Sequence, residues 1–393
     1  MNKRTLATSL LALAAAGGLL LAGCSSDDGA SEDLRGEVVQ TYADGVHASY
    51  LASLTSAQAM DQAIDAFLAA PSEETLAAAK QAWLAARDDY SPTEAFRFYG
   101  GPIDDDDGPE GLINAWPLDE AYIDYVEGNP DAGIINMPDT YPDITADLLV
   151  SLNEDGGEVN ISTGWHAIEF LLWGQDLNDD GPGDRPVSDY VDAPNAERRA
   201  TYLATASDLL LVHLQQMVDE WAPDTEGNYR ASFLALDVDA ALTNILTGVG
   251  ELSAGELAGE RMTVAYEARS QEDEHSCFSD NTTNDIIGNA VGIQRVLEGD
   301  YPEVDGTSVD GPGILALVED SDEKLAASVR EAVELSVADA RAIPAPFDQH
   351  LREDLPDDDP GRASILATIE ALESQRDLIV EAADALGLSI SVS

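Results

Sequence analysis

Apolar residues recur every three or four positions along most of this chain, and nowhere do they alternate over a sustained run. That spacing lines up side chains on one face of an α-helix and argues against a core built from sheets. Val39, Tyr42, Val46, Tyr50 and Leu54 make the first such face, and Met60, Ile64, Phe67 and Leu68 continue it until Pro71. Ser72 is placed to cap a second helix, with Glu73 and Glu74 in its first turn. The stripe Leu76, Ala79, Trp83, Ala86 and Tyr90 follows. Further helices are expected from about Leu118, over 141–153, 164–173, 196–221 and 232–272, and near 283–299, 313–342 and 361–386. The Gly-, Pro- and Asp-rich stretches 98–120, 181–186, 299–311 and 342–360 read as loops. The expected fold class is all-α, two helical-bundle halves packed together, over 36–200 and 201–393.

The first residues stand outside that pattern. Met1–Arg4 carries two positive charges, Thr5–Leu21 is apolar and small, and Leu21-Ala22-Gly23-Cys24 follows. This order is that of a secretory signal. Its end resembles a bacterial lipobox, which would make 1–23 a lipoprotein signal peptide, Cys24 the lipidated residue and 24–35 a tether. The alternative is an ordinary signal with a coincidental cysteine. Acyl chains on Cys24 would hold the protein on the outer side of a membrane without a spanning helix. Cys277 is the only other cysteine, so stability must come from packing rather than a disulfide.

Charge then excludes whole classes of function. There are 76 acidic and 19 basic residues, a formal net charge of -57. Phosphate binding needs a basic face, so a nucleic-acid partner is excluded. Self-repulsion on this scale opposes compaction at low ionic strength and is relieved by salt. With lysine only at positions 3, 80 and 324, the chain reads as a halophilic acidic protein. The runs 104–107, 179–180 and 357–359 lack the spacing of a Ca²⁺ loop and read as solvated.

Five histidines can be weighed one by one. His166 and Glu169 lie three apart in an almost wholly apolar segment that includes Trp165, Phe170 and Trp173. On a helix the two share a face. A buried imidazole and carboxylate must find partners, so they bind each other, an arginine, or a metal such as iron or zinc. Glu272 and His275 repeat the spacing in reverse order, beside Asp273, and two such pairs meeting across a bundle would supply four N and O ligands. A solvated acidic helix end is the competing reading. Glu94 and Arg97 form a third pair, next to Phe96 and Phe98, either at the surface or as a buried partnership. Helix HExxH, GxSxG, P-loop and GxGxxG motifs are missing.

Gly164–Gly174 resembles the GxHxxE signature of the imelysin family. Trp83, Arg87 and Tyr90 followed by Thr93–Asp104, then Trp116–Asp119, then Ser270–Thr282 are similar to further blocks of that family, the last to its iron-regulated subgroup. Many relatives carry histidine where Thr283 stands here, so this block departs from the pattern. The resemblance implies a two-bundle helical fold with a site between the halves. It also implies an extracytoplasmic protein, periplasmic or at the cell surface, linked to iron uptake, with metal ligands among His166, Glu169, Glu94, Glu272 and His275. Arg97, Trp165 and Asp273 would support them. Its partners would be a metal ion or small ligand, the membrane, and iron-uptake proteins. The family is also catalogued among metallopeptidases. A zinc enzyme needs three ligands, an open position and a base, and one tight pair is evident, so a metal binder is expected ahead of a peptidase. A third reading is a site for a peptide or other small ligand with no metal.

Overall fold

The structure, a computed structural model, describes residues 27–178, 180–304, 307–356 and 358–392. The signal segment and Cys24 lie outside these residues. Fourteen α-helices follow along the described residues. They are α1 Asp27–Ala69, α2 Glu73–Tyr90, α3 Glu110–Ile113, α4 Glu120–Ile123, α5 Ala146–Leu152, α6 Gly164–Trp173 and α7 Ala196–Trp221. Then come α8 Tyr229–Leu234, α9 Val238–Glu251, α10 Val264–Ala268, α11 Thr282–Glu298, α12 Ile314–Ser321, α13 Glu323–Ala342 and α14 Pro360–Ala385. The all-α expectation is met. α1 packs along α2 and α7, α13 pairs with α14, and α11 lies against both α2 and α13. One continuous apolar core runs from Val38 to Leu388, and α7 crosses residue 200 without a break.

Local chemistry explains where the elements stop. Ser72 and Thr75 form a reciprocal capping box at the start of α2. α1 begins at Asp27, so residues 27–35, read from sequence as tether, are helical. Between 299 and 311 the expected loop is instead a small antiparallel hairpin, β1 Asp300–Val304 and β2 Thr307–Asp310, packed against α1. Buried Tyr301 anchors it, paired with Val309. Expected helix 232–272 is broken into α8, α9, a π-helix over Leu252–Thr263, and α10. In a π-helix residues five apart share a face, and Thr263 donates to the Ala258 carbonyl at 2.6 Å accordingly. Gly248, just before it, lets α9 approach the Arg97 carbonyl, where a Cβ would stand 2.8 Å away.

A buried ionic node ties the short helices of the first half to α7. Asp124 accepts from Arg199 Nε at 2.6 Å and Nη2 at 2.9 Å, from Arg185 Nη1 at 2.8 Å and from Asn136 Nδ2 at 3.0 Å. No described helix is long and apolar enough to cross a membrane.

Candidate functional site

The polar chamber lies where α2, α6, α11 and the π-helix meet. α6 is buried along its whole length, as its run of large apolar residues requires. Its first residue, Gly164, has φ +82°, and a Cβ there would come 2.4 Å from the Ile113 carbonyl oxygen. Only glycine lets the chain turn into α6 so close to α3.

His166 and Glu169 face each other across one helical turn, with Nδ1 and Oε2 2.9 Å apart. The other carboxylate oxygen, Oε1, accepts from the backbone N–H of Ser279 at 2.9 Å and from its hydroxyl at 2.7 Å. His166 Nε2 is buried and has no partner among the described residues, and neither has the neighbouring Trp165 Nε1. Trp83 Nε1 donates to the Trp165 carbonyl at 3.2 Å and fixes that turn from α2.

His275 comes from the loop before α11, and its ring centroid is 4.8 Å from that of His166. Trp116 covers its other side at 5.6 Å. His275 Nδ1 is 3.0 Å from Asp285 Oδ2. Asp285, in the first turn of α11, also accepts from Arg87 Nε at 3.1 Å and Nη2 at 3.2 Å, and from Ser91, Ser276 and Asn281. Arg87 is 1% exposed and also donates to Asn114, whose Nδ2 reaches Glu94 Oε1 at 3.3 Å. Glu94 accepts further bonds from Tyr90 at 2.8 Å, Arg97 at 2.7 Å and Arg261 at 2.5 Å. The π register brings Arg261 there, with Glu256, five residues earlier, holding its Nε at 3.0 Å. One hydrogen-bonded line therefore runs from Glu94 through Asn114, Arg87 and Asp285 to His275, which stacks edge-on against His166.

Burial dominates the electrostatics. It lowers His166 well below the usual imidazole range, helped by Arg87. Burial, with Arg261 adding to it against the pull of Asp285, takes His275 down to about 3. Glu169 is pushed up to about 8 by burial, and the Ser279 bonds only partly offset this. For Asp285 burial works upward too, but Arg87 and His275 outweigh it and the carboxyl sits well below the usual carboxylate range. Arg97 and Arg261 do the same for Glu94. Two carboxylates are thus ionised and taken by arginine, while the third is flanked only by neutral groups.

The sequence-singled residues separate accordingly. His166, Glu169 and His275 come together. Glu94 joins the same network, with Arg97 as one of its two arginine partners. Glu272 does not. Residues 271–273 form a short 3₁₀ turn rather than an α-helix, Glu272 is exposed and Asp273 half-buried, so neither shares a face with His275. Thr283 is buried near the start of α11, its hydroxyl without a partner. Among the described residues, no three His, Cys, Asp or Glu side chains are arranged to hold a metal ion. The residues not singled out from sequence are Asn114, Arg261, Ser279, Asp285 and the site role of Arg87. Only Arg87 left a signal, an arginine set between Trp83 and Tyr90 on the buried side of α2.

Comparison with known proteins gives four findings. The sequence matches the family model for Imelysin, Peptidase M75, over residues 46–379. It is 26% identical over 273 residues to the iron-regulated protein A of Synechococcus elongatus, spanning 67% of this chain and 64% of that protein. The fold is similar to a crystal structure described as an iron-regulated protein A precursor from Parabacteroides distasonis, with TM-score 0.67, 20% identity, and coverage of 88% of this chain and 95% of that one. It is also similar to an imelysin-like protein from Psychrobacter arcticum, with TM-score 0.65, 14% identity, and coverage of 95% and 100%.

Proposed function

The chain belongs to the imelysin family, and from that premise we propose that it is a lipid-anchored binding protein on the outer side of a membrane that takes up a metal ion, iron or zinc, through His166 during iron acquisition. The observation that supports this reading is the buried Nε2 of His166, unpartnered while Nδ1 is engaged by Glu169. A carboxylate behind the far nitrogen is the arrangement that orients a metal-binding imidazole. His275 stands beside it as a second neutral imidazole. The donors fit a borderline metal, but they are few: the arginines hold Glu94 and Asp285. His166 with His275 would hold the ion, Glu169 would orient His166, and solvent or the ion's own ligands would complete the set. Bound there, the ion is cargo. Binding at Nε2 requires the imidazole proton on Nδ1 and an ionised Glu169 to accept it. Glu169, raised to about 8, therefore gives up a proton when the site fills near neutral pH. Lipid on Cys24 would keep the protein at the membrane for transfer to uptake partners.

The test is titration of the purified chain with Fe²⁺, Fe³⁺ and Zn²⁺ while cleavage of an unfolded protein substrate is followed. Saturable binding that disappears in His166→Ala, falls about 10–100-fold in Glu169→Gln, and brings no cleavage supports the reading. Metal-dependent cleavage abolished by His166→Ala would make the chain a peptidase instead. Absence of metal binding at high salt overturns the metal reading.

A further inference from the structure

A cavity of about 810 Å³ opens between α2, the end of α6 and the loop that follows it. Its size is that of a site for a ligand of several residues. Lys80, Gln81 and Leu84 line it from α2, Trp173 and Leu177 add apolar surface, and Asp180 and Asp184 line it as well. Lys80 is the unusual member. After Cys24 the chain has only one other lysine, Lys324, which is exposed. Lys80 is half-buried, its Nζ 5.4 Å from the Trp173 ring centroid. In a chain with 76 acidic residues, it makes no ion pair among the described residues. Asp184 and Glu73 act on this ammonium from beyond ion-pair distance, and an ammonium held over an indole without a paired carboxylate among the described residues is set to meet an anion from outside.

We propose that this cavity binds short peptides by their C-terminal end. Lys80 receives the terminal carboxylate, Trp173, Leu84 and Leu177 receive an apolar last side chain, and the Gln81 amide meets the peptide backbone. Asp180 and Asp184, which also line the cavity, repel acidic peptides. A dianion such as phosphate fits less well, because Trp173 beside Lys80 is apolar and Asp180 and Asp184 in the lining are negative. Ser279 lines the cavity and also holds Glu169, so a peptide that reaches Ser279 touches the buried site. No histidine lines the cavity, and the proposal stands whether or not His166 binds metal.

The experiment uses alanyl-alanyl-leucine and its C-terminal amide, with tryptophan fluorescence and calorimetry on the purified chain in about 1 M NaCl, where long-range attraction is screened out. The free acid is expected to saturate the protein, and the amide to bind at least about tenfold more weakly. Lys80→Met keeps the stem over Trp173 and is expected to lose about the same factor. Lys80→Arg and Lys324→Met are expected to bind as the wild type does. Equal binding of acid and amide, unchanged binding in Lys80→Met, or no saturation by about 10 mM peptide would overturn the proposal. The acid–amide comparison needs only the wild-type chain, so it decides the matter even if Lys80→Met does not fold.

Discussion

Asp124 and Glu169 are both fully buried carboxylates in the first half of the chain, and their surroundings differ in kind. Asp124 accepts four hydrogen bonds, three of them from two arginines. Burial alone would raise its pKa, but Arg199 and Arg185 hold it below the ordinary carboxylate value. Glu169 meets an imidazole and a serine and no arginine, and its pKa moves the other way. The first site has its charge cancelled from within and joins Asp124 to α7 and the loop before it. The second leaves a buried imidazole nitrogen and an indole N–H unpartnered beside it. Saturation marks a structural node, and an open valence in a dry place marks one that expects something else.

The largest expected effect tests the structural node. Asp124→Ala strands two buried guanidinium groups and is expected to remove roughly 3–5 kcal/mol of stability in denaturant melts carried out at constant high salt. Gly164→Ala comes next, at about 1–3 kcal/mol from the backbone angle alone, with the contact at Ile113 adding to it. Glu169→Gln keeps the shape and replaces a carboxyl that is mostly protonated at neutral pH, so its expected change is within about 1 kcal/mol. If that substitution destabilises as much as Asp124→Ala, the contrast between the two nodes fails.

pH sharpens the same comparison. Glu169 has a folded pKa of about 8 against an ordinary 4.5. Its contribution to stability is complete below pH 4.5 and is lost as pH rises towards 8. His275, at about 3 against 6.5, contributes fully above 6.5 and loses its contribution as pH falls towards 3. Asp124 weakens only in acid, as pH falls below the ordinary carboxylate range. Thermal melts of the wild type should therefore change little between pH 4.5 and 6.5, where the Glu169 loss and the His275 gain oppose each other, and decline from pH 6.5 to 8, a decline that Glu169→Gln should reduce. A parallel profile in both proteins would show that Glu169 does not hold its proton in the fold. The smallest effect is expected at Thr283, whose buried hydroxyl has no partner. Thr283→Val should be neutral or stabilising by about 1 kcal/mol, read in the same melts.

Helical periodicity made the fold class legible, because a 3.6-residue repeat is a local property. The His166–Glu169 pairing was legible for the same reason, one turn of one buried helix. Partnerships across the chain were not. Arg87 and Asp285 are separated by 198 positions, and Glu169 and Ser279 by 110, so no spacing announces them. Glu272 and His275 carried the right spacing on the wrong backbone, since the 3₁₀ turn ends at Asp273 and the chain is extended at Glu274, so no helical face reaches His275. The hairpin at 300–310 escaped because its anchor is a single aromatic, Tyr301, whose burial depends on α1.

The π segment over Leu252–Thr263 holds more than a bend in a long helix. Each residue there advances by less than the about 100° of an α-helix, and that phase aims both Glu256 and Arg261 at one spot. At ordinary α-helical pitch, positions five apart lie about 140° apart around the axis, which would take the Arg261 guanidinium away from Glu256 and Glu94. Glu94 would then keep Arg97 as its one arginine partner, shared with Glu110, and a site tuned to neutral imidazoles would have one positive charge fewer at its edge.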